Sequence, residues 1–162
     1  MKKQSKKIIL LLLPIVLLPL SNLIPAFGIK GFNIEEIMPS LVGAITEEVF
    51  FRWLLLKTIL LPHIKSKPAI FYVSILFASM HLFNLRNGMP FPNLLIQMLC
   101  AFCFSIWAGA VVWRKGSILI PILAHVLLNL TAVTEGTLIP LAVSVVVLAD
   151  GILLMKGNEN EQ

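Results

Sequence analysis

The sequence predicts an all-α fold, a polytopic transmembrane helical bundle of about six helices, on three observations. The chain of 162 residues is 58% hydrophobic and only 13% charged, with a mean hydropathy of +0.93, well above the apolar content of a soluble domain. Its apolar residues fall into six stretches, Ile8 to Phe27, Met38 to Leu61, Ala69 to Leu85, Phe91 to Trp113, Ile118 to Val133 and Leu138 to Met155. Each is near the roughly 20 residues that a helix needs to cross the hydrocarbon. Continuous runs such as Ile9 to Leu13 and Val143 to Leu148 lack the alternation of a membrane β-barrel. The connections are only a few residues long, so one membrane-embedded domain over residues 1–162 is expected.

The net charge of +5 does not point to nucleic acid, because the basic residues sit at the ends of the apolar stretches rather than in one patch. With the amino terminus inside, Lys2, Lys3, Lys6, Lys7, Lys57, Lys65, Lys67, Arg114, Lys115 and Lys156 are cytoplasmic, and only Lys30 and Arg86 are outside. That bias predicts a multi-pass protein of the cell membrane with both termini in the cytoplasm.

In chain order, the first stretch follows a basic start, Met1 to Lys7, yet no A-x-A cleavage site succeeds it, so it reads as a retained helix. Asn33 and Glu36 make a capping-box-like start to the second helix, and Pro39 is placed to kink it. Pro62 to Pro68 is a basic, proline-bounded loop, and Pro68 suits the first turn of the third helix. Asn87 to Pro92 is a turn before the fourth helix, whose Cys100 and Cys103 form a C-x-x-C. A redox site would need a preceding strand and an exposed helix start, so these are read as small packing residues. The sixth helix is plain except for Asp150, which is expected close enough to the cytoplasmic end to reach water.

Function is suggested by polar groups inside these stretches. Thr46-Glu47-Glu48-Val49-Phe50-Phe51-Arg52 puts two carboxylates and a guanidinium in mid-segment, where an unpaired charge costs roughly 3 kcal/mol on insertion scales. Glu48 and Arg52 are four apart with the acid first, the better order for an ion pair on a helix. Glu47 lies about 100° around the helix and must face something else. The third stretch adds His81, and the fifth adds His125 and Asn129, four apart on one face. All are expensive in lipid, so the favourable arrangement points them at one another around a common polar cavity. A carboxylate and imidazoles can transfer protons there, and histidine and asparagine can donate to a developing oxyanion. The same groups also suit a small transporter or proton-relay protein, although no internal repeat of the transporter kind is present.

The ordered set E-E-x-x-x-R (Glu47, Glu48, Arg52), F-x-x-x-H (Phe77, His81) and H-x-x-x-N (His125, Asn129) resembles the CAAX protease and bacteriocin-processing family of intramembrane proteases (CPBP, or Abi). The resemblance covers roughly residues 40–133. It implies an intramembrane endopeptidase acting on a peptide or protein substrate at the bilayer, with no cofactor. Glu47 would be the general base on a water held with His81, His125 and Asn129 would form the oxyanion hole, and Glu48 and Arg52 would be the supporting ion pair. Some members have been described as metalloproteases, and Glu47, His81 and His125 are the alternative zinc ligands. A catalytically idle member that acts by binding, as in bacteriocin immunity, is the other reading within the family. Its prenyl-protein proteases act on cytosolic substrates, whereas the spacing of Glu47, His81 and Asn129 from their segment ends, with both termini inside, puts the site nearer the extracytoplasmic side.

Overall fold

The computed structural model describes residues 14–17, 34–131 and 138–156. Among these the chain is an all-α bundle with no strand. Of the first apolar stretch, residues 14–17 are described and helical, with Ile15 packed on the core. The turn before the second helix, its capping box and the carboxyl-terminal tail lie outside the described residues.

Helix α1, Ile34–Glu48, contains Pro39 and runs directly into a π-helical stretch, Val49–Leu60. One continuous α-helix was expected across Met38 to Leu61; instead the bonding lengthens to i→i+5 immediately after Glu48. Its last bond runs from the Leu61 N–H to the Leu56 carbonyl at 2.9 Å. The wider turn lets Phe51 and Arg52, adjacent in sequence, both be buried together with Leu56. Periodicity could not reveal it, because residues four apart are close in either helix. π-Helical turns concentrate at functional sites.

Helix α2, Ser66–Met80, has Pro68 in its first turn and buries Ala69, Ile70, Val73, Ser74, Phe77 and Ala78, one face at helical spacing. It ends one residue before His81, and the chain tightens into a 3₁₀ turn, His81–Leu85. Helix α3, Phe91–Lys115, starts with Pro92 in its first turn and ends on Gly116. Gly116 has a left-handed φ of 69°, its N–H bonds to the Val112 carbonyl, and its own carbonyl accepts from Lys57 Nζ. Helices α4, Leu119–Thr131, and α5, Leu138–Lys156, complete the described bundle.

The most extensive packing is between α3 and α5, followed by α2 with α3 and α1 with α4. Two glycines set its closeness. A Cβ on Gly151 of α5 would lie 2.9 Å from Trp107 Cα, so the α3 and α5 backbones touch there, while one on Gly109 would meet the Ile70 side chain at 2.9 Å. Helix α3 is therefore the axis, with Phe104, Trp107, Val111 and Val112 fully enclosed. Ser66–Leu85 and Phe91–Lys115 are long and apolar enough to cross a membrane; Leu119–Asn129 is apolar but shorter. At 1.5 Å per residue α3 spans about 37 Å, and the 13 residues of α4 about 20 Å.

Candidate active site

The carboxyl-terminal end of α1 supplies Glu47 and Glu48, and the two side chains diverge. Glu48 is fully buried between two partners: Oε2 is 3.0 Å from Arg52 Nε, and Oε1 is 2.9 Å from His125 Nδ1. The expected Glu48–Arg52 pair is thus present. Its Nε is not aligned for a hydrogen bond, so the contact is an ion pair held by proximity. The Arg52 guanidinium lies over the Phe77 ring, 4.1 Å from its centroid, and 5.6 Å from that of Phe104. The faces of two aromatic rings thus stabilise a charge that has little hydrogen bonding.

The link from Glu48 to His125 was not anticipated, because a spacing argument stops at the helix that carries the pair. A carboxylate can only accept, so Nδ1 carries the proton and donates to Oε1. This fixes the ring and presents Nε2 to Glu47, whose Oε2 is 3.8 Å away. The Glu47 side chain is 45% exposed.

His81 joins from the end of α2. Its Nδ1 is 3.3 Å from the Phe77 carbonyl, a long bond in which the ring N–H donates, leaving Nε2 as the acceptor. Besides lying under Arg52, the Phe77 ring is 5.6 Å centroid to centroid from His81 and 5.8 Å from His125. Phe104 of α3 packs 5.2 Å from His125. Phe77 shares a helix face with His81 and so carried a signal. Phe104, in an apolar run, carried none.

Asn129, one turn beyond His125 on α4, donates from Nδ2 to the Ser40 carbonyl of α1 at 3.4 Å. Among the described residues this contact lies at the weak end of hydrogen bonding. Within the described residues, no three His, Cys, Asp or Glu side chains converge closely enough to hold a metal ion. Cys100 and Cys103 are free thiols, the second buried. Asp150 was expected to reach water, but it is 3% exposed, because α5 packs so closely on α3 that its carboxylate is enclosed beside Trp107.

Residues 31–131, nearly two thirds of the chain, match the family described as type II CAAX prenyl endopeptidase Rce1-like. The chain belongs to this family. No curated protein and no solved structure matches it. The family is one of membrane-embedded proteases, and every residue of the constellation lies inside the matched span. The matched span ends at α4, so α5, which packs most extensively on α3, lies beyond it.

Proposed function

We propose that this chain is an intramembrane endopeptidase in which Glu47 activates water for attack on a peptide bond. The observation that carries the reading is His125, held at Nδ1 by buried Glu48 and presenting Nε2 to Glu47 at 3.8 Å. Glu47 takes a proton from water as the oxygen bonds to the carbonyl carbon, with His81 Nε2 accepting the second water hydrogen bond. The tetrahedral oxyanion is received by Asn129 and by His125, which donates from Nε2 when that atom also carries a proton. The C–N bond then breaks, the proton passes from Glu47 to the leaving amine, and a carboxylate and an amine are released. Glu48 and Arg52 position His125. No metal takes part in this scheme.

The substrate is a membrane-associated peptide or protein, and the family's description names prenylated CAAX chains as one such class. The chain crosses the cell membrane several times with both termini cytoplasmic, and water enters from the extracytoplasmic side. Purified protein in liposomes with a library of membrane peptides, read by mass spectrometry with and without a chelator, tests this. Site-specific cleavage that survives exhaustive chelation is expected. Activity lost on chelation and restored by zinc would replace the scheme with a metal-dependent one.

A further inference from the structure

The segment after His81 is folded back on one residue, Asn84. The N–H groups of Asn87 and Met89 both bond to the Asn84 carbonyl, and that of Gly88 bonds to the Leu85 carbonyl, each at 3.1 Å. Gly88 takes the left-handed φ of 81° that this closure needs. The Asn84 side chain donates from Nδ2 to Gln97 Oε1 at 2.8 Å, which ties the loop to α3. The result is a half-open cleft of about 290 Å³ lined by Asn84, Asn87, Gly88, Met89 and Pro90.

Its distance from the chemistry can be measured along two elements. Asn84 is three residues beyond His81 on the 3₁₀ turn, about 6 Å at roughly 2 Å per residue. Gln97 is seven residues before Phe104, the ring against His125, or about 10 Å along α3. An extended peptide covers about 3.3 Å per residue, so these offsets along the two elements correspond to two to three substrate residues. Its volume is just below the roughly 300 Å³ at which whole small-molecule pockets begin, which suits one residue of a longer chain. Two carboxamides can pair with both the donor and the acceptor of a peptide group. No acidic residue occurs from His81 to Lys115, so nothing there repels an anionic or polar side chain.

We propose that this cleft is a substrate subsite that receives the polar second or third residue from the scissile bond. The assignment rests on the proteolytic reading and adds to it where selectivity resides. Asn87→Leu removes one carboxamide, and Met89→Trp fills the cleft without touching the Asn84–Gln97 bond. Both are assayed in liposomes with peptides varied at each position. Each variant should raise KM about tenfold, the loss of one or two buried polar contacts, while kcat changes less than about threefold. Preference at the second or third position should disappear. In a Glu47→Gln background, a benzophenone amino acid at position 87 should crosslink that same substrate residue. Unchanged KM and preference, or crosslinks mapping elsewhere on the peptide, would overturn the subsite. If the wild type cleaves no peptide, the proteolytic reading fails. The crosslinking then decides the cleft by itself: capture of a peptide at one fixed residue supports a peptide site, and no capture refutes it.

Discussion

At the residue scale, Glu47 and Glu48 are adjacent and chemically identical, and environment separates their roles. Glu48 is enclosed between Arg52 and His125, whereas the Glu47 side chain is nearly half-exposed. Removing Glu48 leaves Arg52 buried without its anion, so Glu48→Ala should destabilise the fold by roughly 3 to 5 kcal/mol. Arg52→Ala should do the same for the opposite reason. A thermal-unfolding cycle checks this: the double variant should be better folded than either single one, and additive losses would refute the pairing. Asn129→Ala separates two roles. If Asn129 receives the oxyanion, kcat falls by about 10² to 10³ with KM nearly unchanged. If it only fastens α4 to Ser40, stability falls by about 1 kcal/mol and the turnover of folded protein is retained.

At the element scale, α3 organises the bundle, and its contact with α5 depends on Gly151. A Cβ there meets backbone, which cannot move aside, whereas at Gly109 it meets the flexible Ile70 side chain. Gly151→Val should therefore destabilise more than Gly109→Ala, by about 1 to 3 kcal/mol as overpacking usually costs. Equal melting temperatures for the two variants would show that α5 is only loosely seated. The apolar runs predicted α2 to α5 to within a few residues, because hydropathy and the flanking prolines and glycines mark helix ends directly. The π-helical stretch after Glu48 was not legible, since the apolar pattern of Val49–Leu60 fits either winding. The enclosure of Asp150 was missed for a related reason: burial at a helix crossing depends on the neighbouring backbone rather than on distance from the helix end.

At the scale of the whole molecule, Asn129 bonds to Ser40, whereas the meeting of Glu47, Glu48 and Arg52 with His125 from another segment was legible, because charge and imidazole are costly in apolar surroundings and must find each other. Which atoms would meet was not, and the Glu48–His125 bond and the aromatic wall of Phe77 and Phe104 came only with the packing. The proposed orientation rests on charge: with the ten basic residues expected inside and the two expected outside, Asn84 would lie outside and Lys67 inside. In a background lacking Cys100 and Cys103, cysteine at position 84 should react in intact cells with a membrane-impermeant thiol reagent, and cysteine at position 67 should not. The reverse pattern would turn the site to face the cytoplasm.

The most direct test of the account is the turnover of Glu47→Gln in liposomes, compared with the wild type on a peptide that the wild type cleaves. Glutamine keeps the shape but cannot take a proton from water, so the rate should fall by about 10² to 10⁴ while the melting temperature stays within a few degrees. Cleavage at the wild-type rate by the folded variant would contradict Glu47 as the base.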